Sequence, residues 1–272
     1  MRFCINPVTF GDPGYVASLE AAAAGGFDAV ELWLPHVERY IEEGHSAAEA
    51  RAVLDEAGLK AAGACFVARL LTSTGQAKRE AFDLAKARFE LCQTLGAETI
   101  VCVADGPQQP TADDYSQAAE QAREVGDLAS SFGLTVGLEF GAGAPFVGTL
   151  ATAARVVHEA EHHALGITFD FFHFYTGASK EADFDRLNGV PILTVHLTDA
   201  EDLPREMLRG GHRVLPGQGC LPVEDLARKL QEVGFQGYYS LELFNPALRE
   251  RDAAEVAREA HEACQRLADR LG

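Results

Sequence analysis

The chain has 272 residues, of which 47% are hydrophobic and 24% charged, a composition typical of a globular protein with a substantial core. Its 23 lysines and arginines stand against 41 aspartates and glutamates, which gives a net charge of −18. Because such an acidic surface repels phosphate backbones, we expect no nucleic-acid partner.

Short apolar strands alternate with alanine-rich amphipathic helices along the chain. In chain order, the predicted strands are "RFCIN", "FDAVELW", "LKAAGACF", "ETIVCVA", "LTVGLEF", "LGITFDF", "PILTVHL" and "GYYSLELF". The helix "PGYVASLEAAAAGG" closes on glycines typical of a C-cap, and "SAAEARAVLDEAG" opens on a serine N-cap with a glutamate three residues later. The other predicted helices are "QAKREAFDLAKARFELCQTLG", "TADDYSQAAEQAREVGDLASSFG", segments that start near Thr149, Glu181 and Pro222, and "AAEVAREAHEACQRLADRL".

About eight strand–helix units at this chain length predict an α/β protein, a single (β/α)₈ TIM barrel that spans residues 1–272 as one domain. Helices between all the strands favour a parallel sheet, because parallel strands need crossover connections. The competing architecture is an open doubly wound sheet, which is disfavoured because no Gly-x-Gly-x-x-Gly turn follows the first strand. No linker or low-complexity stretch divides the chain.

Location follows from features that the sequence lacks. No apolar run approaches the length of a membrane span, and the start, "MRFCINPVTFGD", has no apolar core of a signal peptide. The 6 cysteines are scattered and form no Cys-x-x-Cys pair, a pattern typical of reduced cysteines. We therefore expect a cytoplasmic protein with no membrane partner.

Four polar residues stand near the ends of the last four predicted strands: Glu139, Asp170, His196 and Glu242. In TIM barrels the carboxyl ends of the strands carry the chemistry, and an ionised carboxylate in an apolar strand needs a partner. One such residue alone could pair with an arginine or form a structural hydrogen bond. Four at one barrel end predict a metal site, and three carboxylates with an imidazole suit one divalent ion, Mn²⁺, Mg²⁺, Co²⁺ or Zn²⁺.

The second predicted strand carries two further candidates in "VELW". Glu31 could reach the site or serve a structural hydrogen bond, and both interpretations stay open. Trp33 and the nearby His36 could line a sugar pocket, because aromatic faces pack against the C–H side of sugars, or they could be ordinary loop packing.

The order of these four residues along the barrel resembles the xylose-isomerase-like superfamily of sugar isomerases and epimerases. Within it, "GLEF", "FDFFHF", "VHLTDAEDLP", "RVLPGQG" and "LELFNP" look most like the inosose isomerases (2-keto-myo-inositol isomerases) of inositol catabolism. The resemblance covers most of the chain and is strongest from Gly137 onward. One stretch, "FGAGAPFVGTL", departs from it, because some relatives carry polar, substrate-contacting residues there.

The resemblance implies that Glu139, Asp170, His196 and Glu242 bind one divalent metal ion. It also implies that His173, in the Asp-x-x-His motif, contacts a substrate hydroxyl and that Arg213 reaches the substrate. The implied enzyme is a metal-dependent isomerase or epimerase of a small polyhydroxylated α-hydroxyketone, sugar-like or cyclitol. Glu139 and Glu242 would remove and return the carbon-bound proton through an enediol.

Three alternative functions stay open on the same sequence. A dehydratase of the 3-dehydroshikimate or inosose type would use the same four residues to eliminate water. An endonuclease-IV-like DNA repair enzyme would need further histidine and glutamate ligands and a cationic groove, against which the net charge of −18 argues. A catalytically silent binding subunit would need no metal. A homo-oligomer is compatible with each of them.

Overall fold

Eight parallel strands close into a barrel, which confirms the predicted TIM-barrel fold. The structure, a computed structural model, describes residues 1–272. Each strand pairs with its neighbours in sequence, and the first strand pairs with the last through the register Arg2↔Tyr238 to Ile5↔Leu241. Each of the eight predicted segments contains one strand. The strands are Arg2–Ile5, Ala29–Trp33, Lys60–Ala68, Thr99–Val103, Thr135–Glu139, Leu165–Asp170, Ile192–Leu197 and Tyr238–Leu241.

The helices surround the barrel, and none of them is long and apolar enough to cross a membrane. Three are additional to the predicted set, Leu34–Glu42, Phe171–Thr176 and the short Pro246–Arg249, and the first two begin directly after a strand. The segment near Glu181 forms a 3₁₀ helix, Glu181–Arg186, rather than an α-helix. The α-helices are Tyr15–Ala24, Leu34–Glu42, Ala47–Glu56, Gly75–Leu95, Ala112–Ser131, Leu150–Ala160, Phe171–Thr176, Val223–Glu232, Pro246–Arg249 and Ala253–Leu271.

Local sequence signals set the helix ends. The predicted serine cap is confirmed: Glu49 N donates to Ser46 Oγ at 3.2 Å, and Ser46 N donates to Glu49 Oε2 at 2.7 Å. Such a cap contributes about 1 kcal/mol because it satisfies N–H groups that have no partner within the helix. At its C-terminus, the helix Gly75–Leu95 stops at Gly96, whose φ of 77° is the left-handed conformation that glycine adopts without strain.

The hydrophobic core is one cluster of 72 buried residues that lies between the strands and the helices. Small side chains allow the first helix to pack closely against the last. A Cβ added at Gly25 would lie 2.4 Å from the Cβ of Ala257, so only glycine fits at this contact.

The polar stretch after the seventh strand has a structure of its own. Asp199–Ala200 and Arg213–Val214 form a short antiparallel pair, with the register Ala200↔Arg213. The segment between them contains two 3₁₀ turns, and the buried Leu208 attaches it to the core, as does Leu215 directly after it. Arg213 is thereby held beside the end of the barrel.

Candidate metal centre

The carboxyl ends of the fifth to eighth strands bring the four predicted metal ligands together. Glu139 and Asp170 end their strands, His196 pairs in register with Asp170, and Glu242 follows the last strand. All four residues are buried, and each offers one ligand atom within 4.8 Å of the others. These residues lie up to 103 positions apart in sequence (242 − 139), so only barrel closure makes them neighbours.

His196 occupies the centre of this group. Its Nδ1 atom lies 2.7 Å from Glu139 Oε1, 3.6 Å from Glu242 Oε2 and 3.7 Å from Asp170 Oδ2. Burial lowers the pKa of His196, but the carboxylates of Glu242, Glu31 and Glu139 outweigh burial and hold that pKa well above its usual value. Without a metal ion, His196 is therefore a cation among carboxylates.

The two carboxylate oxygens of Asp170 have different roles: Oδ1 caps a helix, and Oδ2 lies at the candidate metal site. Its Oδ1 accepts the N–H of His173 at 2.7 Å and so caps the helix Phe171–Thr176, which explains the spacing of the Asp-x-x-His motif. Its Oδ2 is buried and accepts no hydrogen bond, but it forms an ion pair with Arg213, whose Nη1 lies 2.8 Å away. Burial raises the pKa of Asp170, but the charge of Arg213 holds that pKa well below its usual range. Asp170 thus presents an ionised oxygen with a free lone pair.

The charge of the site suits a divalent cation. Burial raises the pKa of Glu242 to about 7, and Glu139 and Asp170 add to this shift against the opposing cations of His196 and Arg213. Burial, and to a smaller extent the neighbouring carboxylates, therefore disfavours the charged form of Glu242, and a bound cation would offset this cost. Three carboxylates and one imidazole form a donor set that Mn²⁺, Zn²⁺, Co²⁺ and Mg²⁺ accept.

Arg213 lies beside these ligands, only 2% exposed. Its Nη1 donates to the backbone oxygen of Glu242 at 3.3 Å, and its guanidinium carbon lies 4.9 Å and 5.3 Å from the ring centres of Phe172 and Phe244. Its Nε has no hydrogen-bond partner. The two aromatic faces fix the guanidinium through cation–π contact and leave this donor for a ligand.

His173 and Trp33 lie at the same barrel end. His173 Nδ1 accepts the N–H of Ala142 at 3.2 Å, so the N–H group of the ring lies at Nε2, which has no partner within the protein. Trp33 ends the second strand, half-buried, with its ring centre 5.5 Å from that of Phe66. His36 instead turns toward Asp12, with Nε2 3.1 Å from Oδ1, which is ordinary packing.

Glu31 lies behind His196, on the opposite side of the imidazole from the other carboxylates. Both of its carboxylate oxygens lie 3.2 Å from His196 Nε2, and Oε2 also accepts hydrogen bonds from Asn6 Nδ2 at 3.0 Å and Ser240 Oγ at 2.8 Å. The hydrogen-bonding interpretation of Glu31 is therefore the one that the geometry supports. Asn6 and Ser240 were absent from the sequence prediction, and the signal for both was a polar side chain at an otherwise apolar strand.

Asp199 is another functional residue that was not predicted from the sequence. Its buried carboxylate accepts four backbone N–H groups, those of Ala200 at 2.8 Å, Gly217 at 3.0 Å, and Gly219 and Leu221 at 2.9 Å. It thus joins the "TDAEDLP" and "LPGQG" motifs into one unit, and that unit carries Arg213.

Comparison with known proteins agrees with this architecture. The sequence model of the xylose isomerase-like TIM barrel family matches residues 19–267. The chain belongs to this family. The resemblance inferred from the strand-end residues is thereby confirmed.

Relatives within the family are enzymes. The chain is 28% identical over 268 residues to the inosose isomerase of Bacillus licheniformis, an alignment that covers 96% of both proteins. It is also 28% identical over 237 residues to the 3-dehydroshikimate dehydratase of Pseudomonas putida, which covers 85% of this chain and 36% of that protein. The crystal structure of the IOLI protein with a binding zinc atom superposes with a TM-score of 0.92 over 100% of this chain and 99% of that one. At 24% identity, this last likeness describes the fold.

Proposed function

We propose that this protein is a divalent-metal-dependent isomerase or epimerase of a cyclitol or sugar-like α-hydroxyketone of the inosose type. The observation that carries the proposal is the buried group of Glu139, Asp170, His196 and Glu242, whose ligand atoms lie within 4.8 Å of one another at the barrel end. The relatives named inosose isomerase support the substrate class, and the IOLI protein, with its zinc atom, supports the metal.

A divalent cation held by these four side chains would polarise the carbonyl and hydroxyl oxygens of the substrate and so acidify the C–H bond between them. Glu139 then takes the carbon-bound proton, and the electrons of that bond move toward the carbonyl oxygen to give an enediolate. Glu242 would return a proton to carbon from the other side. Return to the same carbon inverts it. Return to the former carbonyl carbon, with transfer of the hydroxyl proton to the former carbonyl oxygen, shifts the carbonyl, and no atom is gained or lost in either case.

Two further side chains would orient the substrate. Arg213 has an unpartnered Nε beside Asp170 and Glu242, and it would donate to a substrate oxygen and stabilise its developing negative charge. The unpartnered Nε2–H of His173 would donate to a hydroxyl. Trp33 would supply an apolar face for the C–H side of the ring.

A dehydratase is the second candidate, favoured by the 3-dehydroshikimate dehydratase relatives. It would use the same proton abstraction, followed by loss of a neighbouring hydroxyl group as water. The two reactions differ in their products, because elimination creates a conjugated enone or an aromatic ring that absorbs in the ultraviolet, whereas isomerisation does not.

The decisive experiment is a screen of inososes, ketoses and 3-dehydroshikimate with the Zn²⁺-loaded protein in D₂O, followed by NMR. We expect solvent deuterium at the carbon next to the carbonyl, with no ultraviolet product. Glu242→Gln should abolish the exchange, whereas Glu201→Gln, a change of the same kind in the loop, should retain it. A conjugated product would establish the dehydratase, and absence of exchange with every substrate would refute both candidates.

A further inference from the structure

The imidazole of His196 is held between carboxylates on two sides, which have different roles. Its Nδ1 faces Glu139, Asp170 and Glu242, whereas its Nε2 faces Glu31. All of these atoms are buried, so water does not compete for either ring nitrogen. When the carboxylates at Nδ1 hold a cation, the residue at Nε2 is the one left to accept the proton of a neutral imidazole.

A metal ligand must offer a lone pair, so His196 can bind an ion through Nδ1 only when its proton sits on Nε2. Glu31 Oε1, 3.2 Å away, is an acceptor at that position. A carboxylate accepts hydrogen bonds and has none to donate, which favours the tautomer that leaves Nδ1 free.

The orientation of Glu31 is itself fixed by two donors. Asn6 Nδ2 and Ser240 Oγ both donate to its Oε2 atom, at 3.0 Å and 2.8 Å. Asn6 cannot exchange its amide groups without loss, because its Oδ1 accepts the N–H of Val8 at 3.1 Å. Three strands thus contribute to one chain of hydrogen bonds that ends at His196 Nε2.

We propose that Glu31 is a positioning residue that selects the Nε2–H tautomer of His196 and thereby sets the affinity of the site for a divalent cation. This inference rests on the metal site of the proposed function. Glu31 contacts neither the substrate nor the reacting atoms; it acts through His196.

The structure predicts an informative outcome for Glu31→Gln. The two donors Asn6 and Ser240 require an oxygen at the Oε2 position, so the new amide places its NH₂ group at the Oε1 position. His196 Nε2 then faces one oxygen and one donor instead of two carboxylate oxygens. A substitution of nearly unchanged volume therefore weakens the preference for the Nε2–H tautomer, the one that leaves the Nδ1 lone pair for the ion.

The test is Zn²⁺ affinity, measured by competition with a chromophoric chelator on the full chain. We expect Glu31→Gln to weaken binding about 10- to 100-fold, with the circular dichroism spectrum unchanged. Cys65→Ser is the matched control, because Cys65 Sγ lies 3.8 Å from the same ring nitrogen. It should bind Zn²⁺ as the wild type does.

A second measurement needs no variant. In Zn²⁺-loaded wild-type protein labelled with ¹⁵N-histidine, NMR should show the His196 proton on Nε2. A proton on Nδ1, or an equal loss of affinity in Cys65→Ser, would place zinc at His196 Nε2, beside Glu31 and Cys65. Either result would overturn the inference. Wild-type affinity in Glu31→Gln would also overturn it while leaving the metal site standing. No zinc on the wild-type protein would refute the metal site itself and the inference with it.

Discussion

Substitution of Asp199 by Asn tests how the loop that carries Arg213 is held. The carboxylate of Asp199 accepts four backbone N–H groups, two at each oxygen: Ala200 and Leu221 at Oδ1, Gly217 and Gly219 at Oδ2. An asparagine has one oxygen, so one of these pairs must face an NH₂ group instead. Two charge-assisted hydrogen bonds are lost. The two buried backbone N–H groups that formed them then face the NH₂ group of the asparagine, which is itself a donor.

The magnitude follows from that count. A hydrogen bond to a charged group contributes about 1.5–3 kcal/mol, so the loss of two should destabilise the closed loop by about 3–6 kcal/mol. The loop is packed too tightly to rearrange and replace these hydrogen bonds, because a Cβ at Gly219 would already lie 2.0 Å from the backbone oxygen of Ala200. Since Ala200 pairs with Arg213, opening of the loop should also displace the arginine and lower kcat/KM.

Native-state hydrogen exchange measures this opening directly, at the amides of Gly217, Gly219 and Leu221. We expect these three amides to exchange much faster in Asp199→Asn, with urea unfolding monitored in parallel. Asp202→Asn is the matched control, since it removes the same charge from an exposed position three residues away and should change stability by less than about 0.5 kcal/mol. Wild-type exchange in Asp199→Asn would refute the view that this carboxylate holds the loop.

Three further outcomes are expected. Glu242→Gln should lower kcat at least about 100-fold while thermal unfolding stays cooperative, and turnover at the wild-type rate would contradict a proton-transfer role. Removal of divalent metal with a chelator should lower Tm, and Zn²⁺ at about 100 times its Kd should restore about 2.7 kcal/mol; a Tm indifferent to zinc would argue against a metal site. Burial lowers the pKa of His36 despite Asp12, so the unfolded chain binds a proton there more readily. The stabilisation of the folded state by the neutral His36 is therefore complete above about pH 6.5 and declines as the pH falls. In urea unfolding, the stability of His36→Gln should decline less with falling pH than that of the wild type.

Much of the fold could be predicted because the strands and helices differ in their local sequence patterns. Apolar runs such as "ETIVCVA" differ in length and composition from alanine-rich amphipathic helices, and glycine or serine marks several of their ends. The helices Leu34–Glu42 and Phe171–Thr176 escaped prediction for a physical reason. Each follows its strand without an intervening turn or loop, so no polar connection separates the strand pattern from the helix pattern.

The candidate ligands could be predicted for a related reason. A carboxylate or imidazole at the end of an apolar strand is easily recognised in the sequence. Parallel strands place all their carboxyl ends at the same end of the barrel. That those four residues bind metal stays a prediction, which the zinc experiments above test. That the chain acts as one domain also stays a prediction.

The sequence by itself determined the strand order, the barrel and the residues at its carboxyl end, because these depend on composition and periodicity along the chain. Only the tertiary structure decided how His196 is oriented, since Glu31 lies 165 residues away and meets it only after the barrel closes. The same holds for Asp199, whose four partners become neighbours only when the loop folds back. Hydrogen-bond direction depends on which atoms meet in space, and no local pattern records it.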